Sequence, residues 1–157
     1  GTLFDKLAEA GAKLLVETLP HIFDGTAVYE KQPEESPTPY AGMITKQMGL
    51  INFGKSAEEL ERLVRGLNPW PSAFTFWNGK TLKVWESFVV KSEEAGAEKP
   101  EPGTVVKTDK KGIYVACGED VLVLSQVQLE GKKRMDADAF LRGCHIETGS
   151  RFTDKKE

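Results

Sequence analysis

The chain has 157 residues, of which 39% are hydrophobic and 29% are charged, and its formal net charge is -3. This composition is typical of a folded globular chain, and it excludes intrinsic disorder and a general attraction to polyanions. No apolar run approaches the roughly 20 residues that cross a bilayer. Cys117 and Cys144 form neither a disulfide framework nor a metal-ligand spacing, and no secretory leader is evident, so we expect a cytoplasmic protein.

Residues 1–25 predict an amphipathic helix. Thr2 and Asp5 are spaced as a capping box, and Gly11 is expected to interrupt the helix. Such a helix needs a partner for its apolar stripe, which is either the rest of this chain or another surface. The stripe consists of Leu3, Phe4, Leu7, Leu14, Leu15, Leu19 and Ile22.

Residues 26–40 are polar and contain Pro33, Pro37 and Pro39. Each proline disfavours helix in itself and in the residue before it, so this segment predicts an extended linker. The remainder, residues 41–157, is the predicted globular body.

Within this body, the sequence pattern first predicts one well-defined helix. Ser56 and Glu59 have the spacing of a capping box, and apolar residues then recur at helical spacing up to Leu67. The sequence Asn68-Pro69-Trp70-Pro71 is expected to end this helix sharply.

Beyond this helix, apolar residues recur at every second position, which is the spacing of β-strands. Asn78-Gly79 predicts a type I′ hairpin, because both central residues of that turn require positive φ. A short helix is expected from Ala137 to Arg142, and the charged last residues are expected to fray. These elements predict a mainly β fold with helices (α+β): a small, closed Greek-key barrel of the OB type. Its predicted strands are Ala73–Trp77, Thr81–Val90, Thr104–Thr108, Ile113–Cys117 and Val121–Leu129.

The sequence contains no catalytic constellation. His21 is expected to lie in the last turn of the first helix, where a cation suits the helix dipole. His145 follows Cys144, but nothing completes a nucleophilic set or a metal site around them. The carboxylates fall in predicted turns and first helical turns, which are the usual places for solvated acids.

The basic residues, in contrast, are grouped at predicted turns. Residues 103–157 hold ten Lys and Arg against nine Asp and Glu, whereas residues 1–40 hold three against seven. Because barrel turns project together at one rim, these groups could form a phosphate-binding patch; equally, they could only keep a barrel soluble. The grouped residues are Lys110, Lys111, Lys132, Lys133 and Arg134, which Arg142 could join.

The tryptophans also allow two interpretations. Trp70, Trp77 and Trp85 could stack on bases, but their setting beside a Pro-Trp-Pro corner and alternating strands favours packing against the barrel.

The two most specific motifs of the chain are Arg65-Gly66-Leu67-Asn68-Pro69-Trp70-Pro71 and Gly131-Lys132-Lys133-Arg134-Met135. Order and spacing add Gly1-Thr2-Leu3-Phe4-Asp5-Lys6-Leu7, Pro33-Glu34, Thr38-Pro39-Tyr40-Ala41, Ile51-Asn52-Phe53-Gly54-Lys55-Ser56-Ala57, Leu82-Lys83-Val84 and Pro102-Gly103. Taken in order, these motifs resemble the methionyl-tRNA formyltransferase family over nearly the entire chain.

The resemblance implies a division of labour. In that family an N-terminal domain carries an Asn, His and Asp catalytic set and binds 10-formyltetrahydrofolate, and a C-terminal barrel helps to hold initiator methionyl-tRNA. Residues 1–25 would be the last helix of the catalytic domain, residues 26–40 the linker, and residues 41–157 the barrel. No catalytic or folate-binding residue carries over, so we expect this chain alone to be inactive and to bind no cofactor.

What the resemblance carries over is tRNA binding. Lys132 and Lys133 match the family's basic turn, and Lys46 and Lys83 match positions that are commonly basic there. Asn52-Phe53 stands where the family often has Asp-Trp, which keeps an aromatic residue and drops a charge. If Lys110, Lys111, Lys132, Lys133 and Arg134 each met a phosphate, the log–log salt slope of binding would be roughly -3.5.

Two other functions remain open from the sequence. Related formyltransferases that act on sugar nucleotides or free folate have similar barrels but should need no basic rim. A protein-interaction or dimerisation module would instead use the apolar stripe of the first helix.

Overall fold

A computed structural model describes residues 1–96 and 100–155 and contains two compact units, Gly1–Met43 and Ile44–Glu157. The first unit contains α1, Thr2–Phe23, and no residue of this helix is buried. Two details of the prediction are wrong: Gly1 is the N-cap, without any side-chain cap, and the helix runs unbroken through Gly11. A helical glycine costs only about 1 kcal/mol relative to alanine, which is too little to break a helix.

The segment after α1 has neither helix nor strand as far as Thr45. His21 lies in the last turn of α1, as expected, and its Nδ1 lies 2.9 Å from Oγ1 of Thr26. The prolines of this segment disfavour helix in themselves and in the residues before them, which is consistent with the absence of helix there.

The described residues of the second unit form three short helices. The 3₁₀ helix Lys46–Gly49 is followed by α2, Ala57–Gly66, and α3, Ala137–Gly143. The capping box at the start of α2 is confirmed: Oγ of Ser56 accepts from the N–H of Glu59 at 3.2 Å, and the Ser56 N–H donates to the Glu59 carboxylate at 3.4 Å. Leu60 and Val64 of α2 are buried, and the helix packs against the second and fifth strands.

A six-stranded antiparallel sheet forms the rest of this unit. Its order is β1-β2-β5-β4-β3, and β6 pairs with β5. The hairpin turn is confirmed, because Asn78 and Gly79 have φ of 48° and 68°. The strands are β1 Ala73–Trp77, β2 Lys80–Val90, β3 Val105–Asp109, β4 Gly112–Ala116, β5 Val121–Leu129 and β6 Met135–Asp136.

This topology is the predicted Greek key. β3, β4 and β5 form a meander, and β2 returns beside β5. The buried faces of β2, β4 and β5 meet α2 in one core that includes Leu82, Ile113 and Leu122, each fully buried. The α+β class is therefore confirmed.

The sheet does not close through pairing of its outermost strands, β1 and β3. Instead, the segment near the C-terminus hydrogen-bonds to both sides: the Phe76 and Thr153 backbones exchange two bonds of 3.0 Å, and the Val105 N–H donates to the Ser150 carbonyl at 2.8 Å. The expectation that the last residues fray is wrong for Phe152, which is only 2% exposed and stacks on Phe53 with ring centroids 6.1 Å apart. Residues 156–157, which the same expectation covered, lie outside the described residues.

Within the residues that the structure describes, no helix is long and apolar enough to cross a membrane.

Candidate functional site

The order of the strands brings the predicted basic turns to one end of the sheet. Because every neighbouring pair is antiparallel, β1, β3 and β5 run in the same direction and finish at the same end. Lys110 and Lys111 follow β3, and Lys132 and Lys133 follow β5. We call these four residues the basic end.

The two lysine pairs are staggered along the sheet. β4 pairs with β5 only as far as Ile113 with Leu124, so the β3–β4 turn lies beside the middle of β5. From Leu124 to Leu129 a strand advances about 17 Å, at roughly 3.3 Å per residue. The space beyond β4 is occupied by β6, where Gln126 faces Asp136. The basic end is thus an elongated surface rather than a single point.

The Asp109 carboxylate shapes the first of these turns. It accepts hydrogen bonds from the N–H groups of Lys111 at 2.8 Å and Gly112 at 3.3 Å. Burial acts to raise the pKa of Asp109, but the hydrogen bonds from Lys107 and the Lys111 N–H outweigh it and hold the pKa below its ordinary value. Nζ of Lys107 lies 3.0 Å from this carboxylate, so Lys107 offsets its charge.

The four lysines of the basic end form no ion pair with any described residue. All four are exposed. Their ammonium groups are therefore available to an external anion. Lys80 also lies at this end, directly after the β1–β2 turn, and is exposed. The sequence interpretation missed Lys80, although its place after Asn78-Gly79 pointed to the same rim.

Arg134 differs from these lysines, since the protein itself uses its side chain. Its Nη2 lies 3.1 Å from Oε1 of Glu86, its Nε donates to Oε1 of Gln126, and its guanidinium lies over the Trp85 ring at 4.8 Å from the centroid. The sequence grouped Arg134 with the lysines; the structure gives it a carboxylate partner and an aromatic one.

Lys83 lies on the same outer face of the sheet. It faces Gln128 across the β2–β5 pair, and its Nζ lies 5.7 Å from the centroid of the Trp85 ring. Lys83 is therefore adjacent to the turn that carries Lys132 and Lys133.

Two further candidates, Arg142 and Lys46, do not belong to the basic end. Arg142, on α3, forms an ion pair with Asp138 one turn earlier. Lys46 lies in the 3₁₀ helix, just before Leu50, which bridges Phe74 near the start of β1. Lys46 is thus toward the opposite end of the strands from the basic end.

The opposite end of the sheet carries acids. The β4–β5 turn contains Glu119 and Asp120, and with Glu93 these line a cavity of about 820 Å³. Lys91 offsets one of them through a contact of 2.7 Å with Asp120. Lys132 and Lys133 of the basic end and the acidic turn consequently lie at opposite ends of β5.

The three tryptophans have three different environments. Trp77 is partly buried and packs edge-on against Phe140 of α3, with ring centroids 6.3 Å apart. Trp85 lies half-buried on the outer face of the sheet, and Trp70 is 58% exposed. Core packing is therefore confirmed for Trp77 alone.

Among the described residues, no group of three or more His, Cys, Asp or Glu side chains could hold a metal ion. His145 is exposed and lies 3.9 Å from the Glu147 carboxylate. The chemistry that this surface offers is the binding of anions.

Comparison with known proteins gives a consistent result. Residues 43–145 match the family described as formyl transferase, C-terminal domain. A methionyl-tRNA formyltransferase of Agathobacter rectalis is 53% identical over 153 residues, which cover 98% of this chain and 48% of the relative. One of Bacillus subtilis is 48% identical over 150 residues, which cover 95% of this chain and 46% of the relative. The chain thus spans about half the length of these curated relatives.

A solved structure shares the fold. HypX from Aquifex aeolicus in complex with tetrahydrofolic acid superposes with a TM-score of 0.57 at 14% identity, over 90% of this chain and 26% of that one.

Proposed function

The chain belongs to the formyl transferase C-terminal domain family, and on that premise we propose that it is the tRNA-binding C-terminal part of a methionyl-tRNA formyltransferase. The complete enzyme would transfer a formyl group from 10-formyltetrahydrofolate to the amino group of initiator methionyl-tRNA. The donor and the catalytic residues belong to a part of the enzyme outside this chain.

The observation that carries this proposal is the basic end. Four exposed lysines, which have no carboxylate partner in the part of the chain that the structure describes, follow the ends of β3 and β5 on a chain whose net charge is -3. A lysine ammonium is a point charge that suits phosphate oxygens without reading bases. This surface would therefore hold the backbone of the acceptor arm and position the aminoacyl end, independently of the RNA sequence.

The alternative substrates are less well supported. A formyltransferase for a sugar nucleotide or free folate would meet at most a few negative charges. A surface about 17 Å long suits a polyanion better.

α1 supports a second part of the proposal. Most of its apolar residues are exposed, including Phe4 at 76% and Leu14 at 64%. We propose that this stripe packs against the catalytic part of the enzyme, because an uncovered apolar helix face is costly in water. In sedimentation, a dimer of this chain that Leu14→Asp disrupts would instead favour the dimerisation role.

The direct test is a titration of this chain with initiator tRNA at several salt concentrations. Four lysine–phosphate contacts predict a log–log slope of about -2.8, at about 0.7 per phosphate. This value replaces the estimate made from five cations, because Arg134 already pairs with Glu86.

The variant Lys132→Ala/Lys133→Ala should reduce the magnitude of the slope by about 1.4. The matched control is Lys6→Ala/Lys13→Ala, which removes two charges from α1 and should leave the slope unchanged. A slope near zero for the unmodified chain, or equal losses in both variants, would reject the proposal.

A further inference from the structure

The side chain of Gln128 joins a tryptophan to the basic turn. Its Oε1 accepts from the indole N–H of Trp85 at 3.1 Å, and its Nε2 donates to the backbone carbonyl of Lys132 at 2.9 Å. One amide therefore links the outer face of β2 to the loop that follows β5.

The turn itself is tightly closed. The Lys132 N–H donates to the Leu129 carbonyl at 2.8 Å. Gly131 has φ of 78°, a backbone conformation that residues other than glycine rarely adopt. Both backbone groups of Lys132 are thus hydrogen-bonded: its N–H donates to the Leu129 carbonyl, and its carbonyl accepts from the Gln128 side chain.

Arg134 secures the other end of the turn. Its guanidinium lies over Trp85 and contacts Glu86, so the chain on either side of Lys133 is attached to the same indole, directly or through Gln128. The two lysines between these attachments have no carboxylate partner in the described structure.

We propose that Trp85 and Gln128 are positioning residues, which hold the turn of Lys132 and Lys133 in its phosphate-binding conformation before tRNA arrives. This inference rests on the proposed function. Neither residue needs to touch RNA, since both act through the backbone of the turn. Fixing a loop in advance raises affinity because less conformational entropy is lost on binding.

The chemistry of the link explains why an amide is required. The indole N–H needs an acceptor, and the Lys132 carbonyl needs a donor. A glutamine side chain supplies both, whereas a leucine of similar size supplies neither. A glutamate would keep the acceptor, lose the donor and add a charge beside the lysines.

The test is a double-mutant cycle on tRNA affinity. Gln128→Leu removes both hydrogen bonds without changing any charge, and we expect it to weaken binding of initiator tRNA about fivefold at low salt. In the Lys132→Ala/Lys133→Ala background the same substitution should have no further effect. A residue that merely stabilises the fold would weaken binding equally in both backgrounds, and that result would overturn the inference.

A milder variant guards against loss of folding. Trp85→Phe keeps an aromatic ring under Arg134 but removes the N–H donor, and it should show the same coupling to the two lysines. The indole N–H also gives a spectroscopic signature: its NMR signal should be protected from solvent exchange in the unmodified chain and lose that protection in Gln128→Leu. Equal protection in both chains would contradict the link.

The outcomes separate the two proposals. If the unmodified chain binds no tRNA at about 50 mM salt, the proposed function fails and this inference fails with it. A different result rejects only the positioning role: tRNA binding occurs and depends on Lys132 and Lys133, but Gln128→Leu leaves the affinity unchanged or weakens it equally in both backgrounds.

Discussion

Replacing Gly118 by alanine should destabilise the second unit strongly, because two backbones meet there. Gly118 lies in the β4–β5 turn, and its N–H donates to the carbonyls of Phe53 and Lys55, each at 2.9 Å. A Cβ on residue 118 would lie 2.9 Å from the carbonyl carbon of Gly54 and closer still to its oxygen. Both of these atoms belong to the backbone, so they cannot move aside as the end of a flexible side chain could.

The magnitude follows from that overlap. Carbon atoms pack best at about 3.5–4.0 Å, so the two segments would have to separate by at least about 0.6 Å. Overpacking of this kind costs about 1–3 kcal/mol, and weakening the two hydrogen bonds of Gly118 adds about 1 kcal/mol each. We therefore expect Gly118→Ala to lower the free energy of unfolding by about 3 kcal/mol or more.

Urea denaturation of the variant and the unmodified chain measures this difference. Gly66→Ala is the matched control, because Gly66 ends α2 and no heavy atom beyond its chain neighbours and the adjacent helix backbone lies within 4 Å of the position of its Cβ. This control should be neutral or more stable by up to about 1 kcal/mol. The reasoning is refuted if Gly118→Ala unfolds within about 0.5 kcal/mol of the unmodified chain, which is the range of ordinary surface substitutions.

Two further predictions concern titratable groups. Burial raises the pKa of Cys117 to about 12, so its thiol should not react with a thiol reagent at a pH of about 8 while the chain is folded. The reagent should label the folded chain at the half-buried Cys144, and it should leave the variant Cys144→Ala unlabelled until urea is added. Rapid labelling of folded Cys144→Ala would contradict this. The hydrogen bond from Lys91 holds the pKa of Asp120 below its ordinary 3.8, so the pair stabilises the fold above that pH, and the stabilisation is lost as the pH falls through the lowered pKa of the folded state. Asp120→Asn keeps a residue that tolerates the φ of 62° at this position, and it should lose less stability in acid than the unmodified chain; parallel stability–pH curves would disprove the role of the pair.

Several elements of the fold were readable from the sequence because their signals are local. The capping box of Ser56 and Glu59 located the start of α2, and Asn78-Gly79 located the two-residue hairpin turn. Each depends on residues within a few positions of one another, so no knowledge of distant contacts is needed.

The basic end could be only partly predicted. The lysines of the two turns were visible as candidates, and an antiparallel barrel implies that such turns share a rim. Whether each cation is free is a different question, since it depends on neighbours distant in the chain. Arg134 meets Glu86 across 48 positions, and Trp85 meets Gln128 across 43.

The residues alone were thus enough to infer the set of elements, their approximate limits and the resemblance of the chain to a family. Three features became visible only in the folded chain: residues 149–153 join β1 to β3, Phe152 enters the core, and Gln128 hydrogen-bonds to the lysine turn. Periodicity and turn chemistry report the backbone of only a few consecutive residues. Hydrogen bonds between distant segments depend instead on which surfaces the folded chain brings together.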